Sequence, residues 1–220
     1  MPKLGMGPIR REQICRAAAT VIAREGFAGT TMRTVASEAG VSTGMLNHYF
    51  LNRAELLAEA LVFVSERAQQ RHREAIDAVP PGVERLAALL DSILADDEQM
   101  AETWRVWINA YGDAVRMPAL SQAMDERLRG WHEIVDRALE GLLPPGKPAI
   151  PWGWRFDAIL SGLMIQALTS GAELDTAEIG DEAMHLMLPG LKARPGPIGG
   201  RASVRRPAPT RDVAGRTPQL

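Results

Sequence analysis

Residues Thr30 to Leu57 read "TTMRTVASEAGVSTGMLNHYFLNRAELL", two short helical patterns joined at a glycine. Thr31 is placed to cap the first pattern, whose Val35, Ala36 and Ala39 point inward, and Ser42 to cap the second. Gly40 supplies the left-handed backbone that a tight corner needs. In a helix-turn-helix the two helices cross steeply, so the contact residue must be small and the turn must accept a positive φ; Ala36 and Gly40 meet both demands. Val35, Ala39, Val41 and Leu46 then fill the junction. Thr43, Gly44, Asn47 and His48 fall outside it, as two i, i+4 pairs on an exposed side. A polar face with a glycine that allows close approach suits a DNA major groove, where base edges carry sequence information. The amides that open the Ser42 helix, with His48, Tyr49 and Arg53, are candidate phosphate contacts. On pattern alone, a compact three-helix unit with a solvated face remains open.

Working outward, a supporting helix is expected from about Arg10 to Glu25, with Ile14, Ala18, Val21 and Ile22 on one face and a stop at Gly26. Phe27 packs beneath it. After Phe50 a long amphipathic helix runs from Arg53 to Asp77 and ends at "VPPG", Val79 to Gly82. Helical patterns then recur, broken near Asp96 and Asp97, at Met117 and Pro118, at "LLPPGKP" and at Gly171. With 46% hydrophobic and only 5% aromatic residues in 220, and few Val, Ile and Thr runs, the chain reads as all-α. Three parts follow: a head over residues 1–55, a helical body over 56–192, and a Pro, Gly and Arg-rich tail over 193–220 that cannot bury a core.

The formal charge of -2 hides a gradient of +3 in the head, -10 in the body and +5 in the tail. A basic head on an acidic body points to a polyanionic partner for the head alone, double-stranded DNA. Lys3, Arg10 and Arg11 around "LGMGPI" form an arm able to follow the backbone or enter a minor groove. The one cysteine, Cys15, cannot make an internal disulfide. The opening residues lack a secretory apolar run, which places the chain in the cytoplasm. The longest apolar segment, Ala158 to Ala172, is too short and too interrupted to cross a bilayer, so no membrane partner is expected.

Together with "RREQICRAAATVIAREGF" before it, the opening stretch resembles the DNA-binding domain of TetR-family transcriptional repressors, over roughly residues 9–57. Within that family, "MPKLGMGPIRR" and "GVSTGMLNHYF" are similar to the BetI branch of choline-responsive repressors. The resemblance implies that Arg33 reaches DNA from the second helix, that Thr43 and Gly44 lead the recognition helix, and that Tyr49 binds a phosphate. Arg53 stands where the family usually has lysine, which keeps the charge but changes its geometry. Asn47 replaces a common tyrosine and becomes a base reader. The DNA-binding set is therefore Lys3, Arg10, Arg33, Ser42, Thr43, Gly44, Asn47, His48, Tyr49 and Arg53.

The resemblance also implies an effector-binding and dimerising body. Phe156, Leu160, Leu163 and Ala167 lie on one helical stripe and Ile159, Gly162 and Gln166 on its neighbour, so this helix is buried on two sides. With Ile179, Ala183, Leu186 and Met187 on the next helix it is expected to form half of a four-helix homodimer seam. Trp104, Trp107 and Tyr111 recur at helical spacing, while Trp131 and Trp154 lie on other helices; Asp113, Glu133 and Asp157 are nearby acids. An aromatic box with a carboxylate holds a quaternary ammonium by cation-π attraction and charge. The ligand set expected is Trp104, Trp107, Tyr111, Trp131 and Asp157, for a small-molecule effector such as choline or a related amine.

Enzymatic chemistry finds little support. In "WHEIVD" the second histidine of a zinc-binding helix is replaced by Asp136, and G-x-S-x-G and P-loop patterns are absent. Cys15 sits inward, and no cofactor is implied. The rival to a regulator is an all-α carrier or enzyme that uses the tryptophan-lined body; a second is a non-specific DNA-packaging protein.

Overall fold

The computed structural model describes residues 6–146, 148–169 and 175–191, with side chains from residue 10 onward. Lys3, the break at Gly171 and the 193–220 tail lie outside the described residues. Among the described residues the secondary structure is helical throughout, with nine α-helices, one short 3-10 turn and no strand.

Helix α1 spans Met6–Gly29, so it starts four residues before the expected Arg10; Pro8 is tolerated because a first helical turn has no partner for its amide. The expected stop at Gly26 is a kink, with φ 71° and ψ 172°, after which Phe27 folds under and is fully buried. Helices α2 (Met32–Glu38) and α3 (Thr43–Tyr49) follow. Thr31 caps α2 in a reciprocal box with Thr34. The corner after α2 is closed by two bonds, Gly40 N to Ser37 O at 3.2 Å and Val41 N to Ala36 O at 2.9 Å, the paired pattern that ends a helix on a left-handed residue. Gly40 has φ 65° and open space where a Cβ would stand, so backbone conformation alone selects glycine there. Ser42 then caps α3 through Met45 N.

Helix α4 (Arg53–Asp77) starts on an Asn52 cap and runs into the body. There α5 (Val83–Ile93), α6 (Glu98–Ala114), α7 (Pro118–Ala138), α8 (Trp152–Thr169) and α9 (Thr176–Met187) surround it. Two apolar clusters hold the fold. The first joins head residues Ile22, Phe27, Val35, Leu46 and Phe50 to Val106 and Ala110 of α6 and Leu120 of α7. The second lies among α5, α7, α8 and α9, around Leu89, Val135, Phe156 and Met184. Packing thus continues across residue 55, because α1 rests on α6. Thr20 Oγ1 donates to Glu102 Oε1 at 2.8 Å across that contact.

The stripe expected on α8 divides differently. Phe156 and Leu160 are buried in the protomer's own second cluster, and Ile159, Leu163 and Ala167 pack against it. The residues left outward are Trp154, 62% exposed, with Ile165 and Leu168. On α9, Ile179, Ala183 and Met187 are buried and Leu186 is exposed.

Candidate DNA-binding face and effector cavity

On the head, Arg33 of α2 and Thr43, Gly44, Asn47 and His48 of α3 are exposed, while Leu46 among the latter is fully buried. Among the described residues, Thr43 and Asn47 make no side-chain hydrogen bond within the chain. His48 stands edge-on to Tyr49 with ring centroids 5.3 Å apart, and Tyr49 is half-buried against the first cluster. Ser42 is committed to its cap. Arg10 lies beside Gln13 on α1, donating to its side-chain oxygen at 3.2 Å. Met45, 41% exposed on α3, is an outward apolar side chain that the sequence reading passed over.

Two arginines are turned towards the protein. Arg11 donates to Tyr49 O at 2.6 Å, pairs with Glu55 and Glu59, and lies 4.5 Å from the centre of the Phe50 ring. Arg53 donates from Nε to Thr30 O at 2.5 Å and from one terminal nitrogen to the carbonyls of Phe27 and Ala28.

In the body, Trp104, Trp107, Tyr111, Trp131 and Asp157 all line one cavity, with about 560 Å³ of empty space that opens in part to solvent. Helix α6 supplies the first three from successive turns, α7 supplies Trp131 and α8 supplies Asp157. Trp154 stays on the surface, Asp113 pairs with Arg116 and Glu133 is exposed, so none of the three lines it. The sequence reading missed the α4 wall, where Ser65, Gln69 and His72 face inward at i, i+4 and i+7 spacing. The signal was present: polar residues on the buried stripe of an otherwise amphipathic helix.

Asp157 is the one carboxylate of the lining. Tyr111 OH donates to its Oδ2 at 3.1 Å and Ser161 Oγ to its Oδ1 at 3.4 Å. Burial raises its pKa above the ordinary aspartate value, opposed by these donors, the nearby His132 and the Trp131 indole. Tyr111 is raised as well, by burial first and then by the Asp157 charge. His72 is lowered to about 3 by burial, with Arg71 and Arg73 adding to the effect, so it is a neutral wall at physiological pH. Since Ser92 Oγ donates to Leu89 O at 2.7 Å, the 2.9 Å contact between His72 Nδ1 and Ser92 Oγ has the imidazole as donor. Ser65 and Thr103 likewise donate to the carbonyls of Leu61 and Gln99, and Trp104 to Ile93 O. The cavity therefore presents aromatic faces, lone pairs and one carboxylate, with its donors largely committed.

Comparison with known proteins now decides the lineage. Residues 14–60 match the model of bacterial regulatory proteins of the tetR family, and residues 82–186 match that of the BetI-type transcriptional repressor C-terminal domain. The HTH-type transcriptional regulator BetI of Burkholderia thailandensis is 30% identical over 179 residues, covering 80% of this chain and 90% of that protein. The chain belongs to the TetR family. Its body is of the BetI type, and BetI of Escherichia coli K12 is 27% identical over 192 residues, covering 85% of this chain and 96% of its own. A TetR-family regulator from a Rhodococcus species superposes with a TM-score of 0.71 at 26% identity, covering 83% of this chain and 98% of its own. A transcriptional regulator from Saccharomonospora viridis, solved in complex with choline, superposes at 0.70 with 21% identity, covering 85% and 100%. This TetR-family chain is a DNA-binding transcriptional regulator and not an enzyme. Among the described residues no helix is long and apolar enough to cross a membrane.

Proposed function

We propose that the protein is a homodimeric repressor whose grip on a near-palindromic operator is released by a quaternary ammonium effector of the choline kind. The division of labour follows the sequence reading: residues 1–55 bind DNA in the cytoplasm, and 56–192 bind effector and pair the chains. On the DNA side, Thr43, Gly44 and Asn47 meet base edges, with Arg33, Ser42, His48 and Tyr49 along the backbone and Lys3 and Arg10 extending the contact from the arm. Two such faces must sit about 34 Å apart to enter successive major grooves. The outward face of α8 and α9, with Trp154, Ile165, Leu168 and Leu186 exposed, supports pairing there, since a soluble chain seldom leaves such a face open.

The observation that carries the effector class is the cavity, where four aromatic side chains and a single carboxylate converge with no Lys or Arg in the lining. A permanent cation gains both ring attraction and charge there without having to donate a hydrogen bond. The surrounding lone pairs on Ser65 and Thr103 suit a hydroxyl on the ligand, whereas a carboxylate would find no cation to receive it. The regulator solved with choline supports the same class. Effector occupancy acts only through unequal affinity for the DNA-binding and released arrangements. Helix α4 joins cavity to head, so a tilt along it changes the spacing of the two heads.

The test uses duplexes selected by the protein from a random pool. Choline added to the complex should displace the protein, and choline should bind the free protein in a calorimeter. Trimethylglycine, the same cation with a carboxylate, should do neither at equal concentration. If choline leaves both binding and DNA affinity unchanged, the effector assignment fails.

A further inference from the structure

The guanidinium of Arg53 is held within the chain. It leaves the first turn of α4, directly after the recognition helix, and reaches back 23 residues to Thr30 O, 25 to Ala28 O and 26 to Phe27 O. Those three carbonyls belong to the segment between the kink at Gly26 and the Thr31 cap of α2. Carbonyls at a helix C-terminus lack intrahelical partners and carry the negative end of the helix dipole, so a cation with several N–H groups is well matched to them. One planar fork thereby joins the junction that precedes α2 to the junction that follows α3.

We propose that Arg53 is a positioning residue for the recognition helix, setting its angle to the rest of the head, and is not a phosphate contact. The α2–α3 unit is bracketed between the two points that the fork ties together. Arg11 holds the same end of α3 from the other direction, through Tyr49 O and the Phe50 ring. Because the two arginines fix where α3 ends, they fix where Thr43 and Asn47 meet a groove. Lysine would keep the charge at position 53 but present it from one nitrogen, which cannot reproduce donation from both Nε and a terminal nitrogen to separate carbonyls. Base readout depends on placement within a fraction of an ångström, whereas phosphate attraction does not. The structure therefore separates charge from function at this residue.

The experiment compares the full chain with Arg53→Lys and Arg53→Gln, on a duplex selected from a random pool by the native protein and on a scrambled duplex of equal length. Measurements are made well below each protein's melting temperature, over a series of salt concentrations. The expected result is that both variants lose about tenfold in the ratio of selected to scrambled affinity, comparable to one mismatched base pair, while the salt dependence on the scrambled duplex is unchanged. A merely structural role would lower the melting temperature and the active fraction and leave that ratio alone. A phosphate contact would show itself otherwise: Arg53→Gln would reduce the slope of log K against log salt by about 0.9, and Arg53→Lys would behave as the native protein. Either of those two outcomes overturns the proposal. Should Arg53→Gln fail to fold, Arg53→Lys decides between them alone, by retaining or losing the selectivity.

Discussion

The outer face of α3 and the cavity in the body treat polar side chains in opposite ways. On α3, Thr43 and Asn47 are exposed and have no partner among the described residues, so their hydrogen-bonding capacity is available to whatever docks there. In the cavity, Tyr111, Ser161, Ser65, Thr103, His72 and Trp104 are bonded to the protein itself. On the proposed function, the first surface would discriminate by offering unsatisfied groups that only the right sequence satisfies. On the same reading the second discriminates by committing most of its donors and leaving ring faces, lone pairs and one carboxylate, so that a cation without strong hydrogen-bond demands is favoured over ordinary polar solutes. A reader of sequence and a sensor of a weakly hydrated cation need these opposite designs.

The sharpest way to break this contrast is to remove the free groups. Thr43→Ala with Asn47→Ala should cost about 1–3 kcal/mol of discrimination per base pair no longer read, seen by fluorescence anisotropy as a collapse of selected towards scrambled affinity, with the melting temperature unchanged. Selectivity that survives both substitutions would remove the recognition role from these residues.

In the cavity, Trp107→Leu keeps an apolar wall but removes a ring face, and choline affinity should fall by about 2 kcal/mol, the upper range for a desolvated cation over an aromatic ring. Operator affinity without effector should be unchanged. Equal calorimetric affinities for the native protein and the Trp107→Leu variant would show that Trp107 is packing only.

Asp157 sharpens the comparison because its two roles pull in opposite directions. Its folded pKa is raised above 3.8, chiefly by burial. Below that unfolded value the group is neutral in both states; as pH rises through the folded pKa the folded state must carry a buried anion, and stability falls. Choline affinity should rise over the same interval, because the ligand pairs with the carboxylate. Asp157→Asn should therefore melt higher than the native protein at neutral pH, show no such fall in stability with pH, and bind choline weakly. A melting temperature lowered by the substitution would contradict this account.

The smallest effect is local. Thr31→Ala removes the oxygen that accepts from Thr34 N at 3.1 Å and should cost about 1 kcal/mol in urea denaturation, with binding selectivity kept once the chain is folded.

Much of the head was legible in the order of its residues. Thr31, Gly40 and Ser42 are local devices whose meaning depends on neighbours three positions away, and each does in the structure what its type and place imply. The spacing of Trp104, Trp107 and Tyr111 was equally readable, since one helix carries them. What the sequence left hidden are the arrangements that depend on where a side chain finally turns. Arg53 reads as a free cation by its type and by family position, and only the folded return of Phe27 to Thr30 reveals carbonyls waiting for it. The α8 stripe is apolar and packed as its breadth implies, but Phe156 and Leu160 are as apolar as Ile165 and Leu168, and periodicity does not say which side of a two-sided helix meets its own protomer. His72 shows no partner in sequence and Ser65 draws no notice, because a single polar residue on a long helix carries no marker of the cavity it borders.

Helix α6 has a further consequence. One face of it carries Thr103, Trp104, Trp107 and Tyr111 along the cavity, and the adjoining face carries Val106 and Ala110 into the core shared with α1, against which Trp107 and Tyr111 also pack. The chamber and the core beneath the head therefore share this helix, and two of the chamber's rings touch both. Under the proposed function, a guest that displaced Trp107 or Tyr111 would disturb the platform beneath the reading helices through that shared helix.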